Sequence, residues 1–455
     1  MAAAGAQPGP PITYKRVYAI ALPVMLSNAT VPLQGAIDTA IIGNLGSALF
    51  LAAVALGATM FAIYTAIFNF LQMSTSGLTA QALGAGINRR VINSLIRALM
   101  VAGVIAAVLL LLRDPLARLS VRFFEGSDEA EALASTYFRI RALGFPAELM
   151  NYALFGWFAG QELTRRLFEM QLVISILNVT FNLVLVLGLG WGVEGVAIGT
   201  VLASYCGLAV GLWRARGRAI AIAPPDWALD WARLLNRAEL SQVMTLNRDI
   251  FIRSVLLILC FTWITRLGSL QGDTVLAVNG ILIQFLHISA YALDGFAIAA
   301  ETLVGQALGA GSINRLRRSV IVSTIAAMSL ALVFSILASL TAEVLISLFT
   351  NVEEVRSVAA TYALWATFMP LFGVLAFQMD GVFVGAADGA GMRNSMIASA
   401  TLFLPLSWWP TDAYGNHGLW AATAALLLLR AGFLGLLYPA LERRVRALAT
   451  SGATT

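Results

Sequence analysis

The residues best able to do chemistry are acids and amides set inside long apolar stretches. Asp38 lies well within the first stretch, with Gln34 four residues before it and Ser27 seven before that, all on one helical face. In the fifth stretch Gln171, Ser175, Asn178 and Asn182 follow at intervals of four, three and four, which makes one polar stripe, and the sixth adds Thr200 and Ser204. A carboxyl group taken out of water can load and unload a proton near working pH, and surrounding amides and hydroxyls can steady the charge. Pro23 and Pro32 remove backbone donors from the first stretch and leave carbonyls that a cavity or ion could use. The structural alternative is that Asp38 only hydrogen-bonds across helices. As cation-coupling residues the sequence nominates Asp38, Asn178, Asn182 and Thr200.

A second polar set lies in the other half. Gln284, His287, Tyr291, Asp294 and Glu301 recur at three, four, three and seven residues, and Asp380 sits deep in a later stretch. Asp294, Glu301, Asp380 and Tyr291 form a candidate secondary polar site, with interhelical hydrogen bonding as the equal alternative. Asp249 and Arg253, four apart, are expected to pair locally. Met25, Met60, Tyr64, Phe68 and Phe285, together with Gln34, are candidates for an adaptable substrate-binding wall, although such side chains also serve plain packing.

The composition excludes much. With two histidines and two cysteines, Cys206 and Cys260, the chain supports neither a disulfide framework, a transition-metal site nor a Cys/His nucleophile. Gly192, Gly195 and Gly199 read as close-packing residues rather than a phosphate cradle, and no P-loop is present. No catalytic constellation is found, so the expectation is a protein that is not an enzyme and needs no cofactor beyond a coupling ion.

These side chains must be positioned by membrane helices. Of 455 residues 59% are hydrophobic and 12% charged, against roughly a quarter charged in soluble domains, and the mean hydropathy is +0.82. The expected partner is therefore the lipid bilayer. A net charge of +5 does not indicate nucleic acid, because the arginines fall in short clusters between apolar runs. Twelve runs reach the length needed to cross about 30 Å of hydrocarbon: 16–43, 50–80, 91–112, 132–160, 166–190, 193–213, 240–266, 274–307, 317–349, 356–386, 394–411 and 417–439. The first runs past the length of a secretory segment and is expected to be retained. Basic clusters at Lys15/Arg16, Arg89/Arg90, Arg165/Arg166, Arg214 to Arg218, Arg315 to Arg318, Arg393 and Arg443 to Arg446 occupy alternate connections, which predicts cytoplasmic N- and C-termini.

The phrase Gln81-Ala82-Leu83-Gly84-Ala85-Gly86 recurs 225 residues later as Gln306-Ala307-Leu308-Gly309-Ala310-Gly311. The sequence thus predicts an all-α integral membrane protein with twelve transmembrane helices in two pseudo-symmetric six-helix lobes: residues 1–213, a cytoplasmic linker over 214–239, and residues 240–455. Paired bundles of this kind suit alternating access.

Four phrases then bear a resemblance. They are Pro32-Leu33-Gln34-Gly35-Ala36-Ile37-Asp38-Thr39-Ala40; Asn247-Arg248-Asp249-Ile250-Phe251-Ile252-Arg253; Asp294-Gly295-Phe296-Ala297 with Ala300-Glu301; and Gln378-Met379-Asp380-Gly381-Val382-Phe383-Val384-Gly385. In these the chain resembles the multidrug and toxic compound extrusion (MATE) family, in its DinF branch. The resemblance implies a V-shaped pair of lobes and secondary active efflux of small amphipathic, often cationic compounds, driven by protons or sodium, from a bacterial-type inner membrane, with no obligate protein partner. It also implies a first-lobe site of an Asp on the first helix, an Asn and an Asp on the fifth and a Thr on the sixth. Asp38, Asn178 and Thr200 match, whereas Asn182 stands where the family has its second Asp. One carboxylate favours a proton over sodium as coupling ion. Gly160-Gln161-Glu162-Leu163-Thr164-Arg165 stands where relatives usually have an Asp-Thr-Arg turn and reads as a cytoplasmic loop variation. The rival reading, a flippase for a lipid-linked saccharide, would want several basic residues in its cavity, and the intramembrane arginines picked out by the sequence are chiefly Arg253 and Arg266.

Overall fold

The computed structural model describes residues 10–44, 47–123 and 127–452. They form α1 (Tyr14–Gly43), α2 (Ala48–Ile67), α3 (Phe70–Gly84), α4 (Asn88–Leu111), α5 (Arg113–Phe123), α6 (Asp128–Ala142), α7 (Phe145–Gly160), α8 (Thr164–Asn182) and α9 (Gly192–Ile222). The second half adds α10 (Trp231–Leu234), α11 (Arg237–Ser269), α12 (Asp273–Gly309), α13 (Ile313–Leu340), α14 (Ala342–Phe349), α15 (Glu353–Gly385), α16 (Gly389–Leu406) and α17 (Trp408–Gly452). Many of these helices are apolar on every face, and leucines such as Leu111 and Leu340 are 83% and 79% exposed, as expected where lipid rather than water is the solvent.

Ten helices or joined helices among the described residues are long and apolar enough to cross a membrane. The two expected stretches that are missing have physical reasons. Residues 132–160 are divided between α6 and α7 by a turn at Leu143–Gly144, and carry Arg139, Arg141 and Glu148. The stretch 394–411 corresponds to α16, of 18 residues, with Arg393 and Asn394 near its start and Pro405 near its end. Residues 50–80 are interrupted at Phe68–Asn69, where α2 ends and α3 begins.

The chain divides into two compact units. One comprises Leu26–Thr79 and Ile87–Leu240; the other comprises Met1–Met25, Ala80–Gly86 and Ser241–Thr455. In the first, Ile41 and Ile42 of α1 pack with Val54 of α2, Tyr137 of α6 and Val193, Val196 and Ala197 of α9, and this core anchors the part of α1 that carries Asp38. In the second, Val17, Ile20 and Ala21 from the start of α1 join Leu293, Phe296 and Leu303 of α12, Val322 of α13 and Val374 of α15. Residues 214–239 hold the end of α9, α10 and the start of α11.

The duplication is written in the backbone as well as in one phrase. Left-handed residues recur at the same 225-residue interval: Gly86 and Gly311 (φ 70° and 61°), Glu162 and Ala387 (62° and 52°), Gly190 and Gly415 (70° and 56°). The Gly160-Gln161-Glu162 departure falls on one of these turns, and its repeat mate is equally non-glycine. Close approaches recur too. A side chain at Gly156 of α7 would overlap the Gln72 carbonyl of α3, and one at Gly381 of α15 would overlap the Ala297 carbonyl of α12. The repeated phrase meets its own copy inside the second unit: a Cβ at Gly84 would strike the carbonyl oxygen of Gln306, and one at Gly309 would strike that of Gln81.

That reciprocity gives a test. Gly309→Ala forces two backbones apart and is expected to destabilise the protein by about 1–3 kcal/mol. Once the crossing has opened, Gly84→Ala added to it costs less than Gly84→Ala alone. Unfolding midpoints of the two single variants and the double variant in detergent check this, and strict additivity would show that the two contacts are separate.

Candidate functional site

In the first unit the structure gathers the quartet proposed from spacing. Asn178 and Asn182 lie one turn apart on α8 and both are fully buried. Asn182 donates from Nδ2 to Asp38 Oδ1 at 2.7 Å and to Asn178 Oδ1 at 3.4 Å. Asn178 in turn donates to Thr200 Oγ1 at 2.9 Å, and Thr200 donates to the Val196 carbonyl at 2.8 Å. Asp38 is half-buried on α1. Gln34, one turn earlier, accepts from Ser175 Oγ at 3.5 Å, and Gln171 donates to Ser175 at 3.4 Å, so the polar stripe of α8 faces the polar face of α1.

Local backbone features fit this arrangement. The hydrogen bonding of α8 passes into a π-helical segment at Leu183–Gly188, directly after Asn182, a register change common at functional sites. Gly199 lets α9 approach so closely that a Cβ there would overlap Asn182 Oδ1. That oxygen is buried and has no hydrogen-bond partner among the described residues. Asn182 therefore donates to the carboxylate on one side and to Asn178 on the other, Asn178 passes its own donor on to Thr200, and the Asn182 oxygen is left over as an acceptor.

A neighbouring ion pair, Arg141 with Glu148, was not singled out in the sequence. Ser204, one turn beyond Thr200, donates to Glu148 Oε1 at 2.9 Å, and Arg141 pairs with the same oxygen at 3.5 Å. The Arg141 guanidinium lies 4.0 Å from the Phe61 ring centroid, and its charge acts on both Asp38 and Tyr137. The available signal was the seven-residue spacing of an arginine and a glutamate inside an otherwise apolar stretch.

The repeat supplies an internal comparison. The positions 225 residues after Asp38, Asn178, Asn182 and Thr200 are Trp263, Phe403, Ser407 and Ala425. The contact survives there, with Trp263 Nε1 donating to Ser407 Oγ at 3.0 Å, but the carboxylate and both amides are gone. Helix packing thus needs a contact at this point and does not need an acid.

In the second unit Asp380 is buried between two arginines. Arg430 donates to Asp380 Oδ2 at 2.6 Å, and Arg253 donates to the same oxygen. This corrects the local pairing expected of Asp249 and Arg253. Asp249 instead accepts from Arg393 at 2.7 Å and from Arg248 at 2.9 Å, because α16 brings a guanidinium to it while Arg253 turns toward α15 and α17. Arg430 also adds an intramembrane arginine beyond Arg253 and Arg266. Asp294 lies within the electrostatic reach of Asp380, Arg253 and Tyr291. Glu301 is buried two turns further along α12, where its own backbone packs against Gly385.

The apolar candidates are divided between the two units. Met60 is 1% exposed, Phe285 is 6% exposed in a core cluster with Met369 and Trp420, and Met25 packs against Gly295. Tyr64 hydrogen-bonds Ser120 at 3.1 Å, and the Phe68 ring lies tilted at 58° to that of Phe70 with centroids 5.8 Å apart. Met25 and Phe285 belong to one unit, and Met60, Tyr64 and Phe68 to the other.

A duplicated bundle of membrane-length helices, with an acid and two amides concentrated in one copy, defines a polytopic membrane protein of two helical lobes. The MatE family model matches residues 23–184 and 250–409, about one match per half, and the chain belongs to that family. It is 38% identical to the DNA damage-inducible protein F of Escherichia coli K12 over 94% of this chain and 92% of that protein. It is 25% identical to the chloroplastic Protein DETOXIFICATION 44 of Arabidopsis thaliana over 91% of this chain and 80% of that one. Among solved structures, a MOP superfamily transporter from Pyrococcus furiosus superposes with a TM-score of 0.84 at 18% identity, covering 96% of both chains. The Vibrio cholerae MATE transporter VcmN in its bent form superposes with a TM-score of 0.82 at 20% identity, covering 95% of this chain and 98% of that one.

Proposed function

We propose that this protein is a multidrug extrusion transporter that exchanges protons for small amphipathic, often cationic compounds across a bacterial-type inner membrane, with both termini cytoplasmic. Membership of the MatE family and relatives named as multidrug resistance proteins support extrusion of this class. The observation that carries the proton reading is the asymmetry of the repeat: Asp38 and Asn182 in one copy, Trp263 and Ser407 at the equivalent contact in the other.

The chemistry follows from the hydrogen bonds. With Asp38 ionised, Asn182 donates to it and Asn178 orients Asn182. When Asp38 takes a proton its hydroxyl becomes a donor, and the unpartnered Oδ1 of Asn182 is the acceptor at hand. An amide can serve both states by turning over, which a second carboxylate could not do. The half of α1 beyond Pro32 shifts with this exchange, bound substrate loses its counter-charge on the outward side, and release of the proton inward restores the site. Sodium would want a second full negative charge at the Asn182 position, which makes the proton the simpler ion.

Purified protein in liposomes, given separate proton and sodium gradients, tests the reading. Substrate movement should follow the proton gradient alone. Asn182→Asp should introduce a sodium dependence; a wild-type protein driven equally by sodium would end the proton assignment.

A further inference from the structure

A cleft of about 210 Å³ opens at the end of the first unit, between the first turns of α4 and the α10–α11 connection. Its lining includes Arg89, Arg90, Arg97 and Arg233 against a single carboxylate, Glu239. Arg97 forms the buried wall. It donates from Nε to the Leu234 carbonyl at 3.0 Å and from Nη2 to the Arg233 carbonyl at 2.8 Å, and it pairs with Glu239, which fixes the connection to α4. Arg89 pairs with Asp226 at 2.6 Å and Arg233 with Asp230 at 3.1 Å, both at the rim. Arg90 is exposed and has no ion pair among the described residues.

The first turn of α4 is uncapped, since Ile87 offers no side-chain acceptor to the helix N–H groups. The corresponding end of α13 differs. Ser312 caps it, and Arg317 is held bidentately by Glu442 at 2.7 Å for each bond. The start of α4 thus presents an uncapped, arginine-lined cleft, whereas the start of α13 is capped and has Arg317 paired. Exposed Ile87, Leu229, Trp231 and Leu235 flank the cleft, an apolar surface that includes a tryptophan, the residue type enriched at membrane interfaces.

We infer that this cleft binds the phosphate group of an anionic phospholipid, with Arg90 and Arg233 reaching the phosphate, Arg97 behind them and the flanking apolar side chains along the acyl chains. The site is independent of the coupling chemistry at Asp38. Tetrahedral phosphate suits guanidinium donors converging with free helix N–H groups, and basic pockets beside membrane helices take such headgroups.

The test uses the full-length protein in phosphatidylcholine nanodiscs containing phosphatidylglycerol, with retained lipid read by native mass spectrometry. Wild type should keep phosphatidylglycerol in preference to phosphatidylcholine. At about fivefold per arginine near a membrane surface, the double variant Arg90→Gln/Arg233→Gln should lose roughly thirtyfold in that preference. Arg443→Gln/Arg444→Gln removes the same charge from the exposed tail and should leave it unchanged. Inorganic phosphate and glycerol phosphate are added separately; displacement by either at millimolar level supports the phosphate site but assigns it to a soluble phosphate. Equal retention of the two lipids by wild type, or equal loss in both double variants, overturns the proposal.

Discussion

Asp38→Asn is expected to abolish proton-driven efflux while leaving a folded protein that still binds substrate. The substitution keeps an oxygen that can accept from Asn182, so the 2.7 Å contact and the helix packing around it persist. What disappears is the carboxyl group proposed to exchange a proton. One charge crossing 100 mV is worth about 2.3 kcal/mol and a tenfold gradient costs about 1.4 kcal/mol, so a neutral substrate that wild type concentrates about fiftyfold should come to equal concentrations on both sides. Steady-state accumulation in proteoliposomes under an imposed membrane potential measures this. A correctly folded variant that pumps like wild type would remove Asp38 from the mechanism.

Asp380→Ala should be the most damaging change for stability. It leaves Arg253 and Arg430, both buried, facing each other with their shared counter-ion gone. Stranding buried charge in this way costs about 3–5 kcal/mol, enough to lower the yield and the unfolding midpoint in detergent sharply. The triple variant Asp380→Ala/Arg253→Met/Arg430→Met removes the stranded charges and is expected to recover most of the midpoint. If the single variant unfolds at the wild-type midpoint, the triad is not a structural ion pair.

The contrast between these two sites explains how much was legible in the chain itself. Asp38, Asn178, Asn182 and Thr200 could be read because each helix displays its polar groups at helical spacing, and an apolar background leaves them only one another as partners. Arg253 could not be assigned in the same way. The interval of four to Asp249 says that the two share a helical face, but α15, α16 and α17 decide which partner is nearer, and those helices lie far along the chain. Arg430 and the Arg141–Glu148 pair sat in stretches judged by their overall apolarity, which hid single charges. Met60 and Phe285 are buried in this structure, and composition alone does not distinguish a packed interior from a cavity lining. The helical class and the duplication were visible; the interruptions at Phe68–Asn69 and Leu143–Gly144 were not, since neither is marked by a strong break in hydropathy.

The crossing of Gly84 with Gln306 and of Gly309 with Gln81 has an evolutionary reading. A surface that recognises its own duplicate residue for residue is the arrangement found on the axis of a symmetric homodimer. A half-length ancestor bearing this phrase would have needed no additional side chains to associate with a twin, and fusion of two such genes would have inherited the joint ready made. Divergence could then act on the polar positions of each copy separately, while the glycines that hold the joint together stayed fixed.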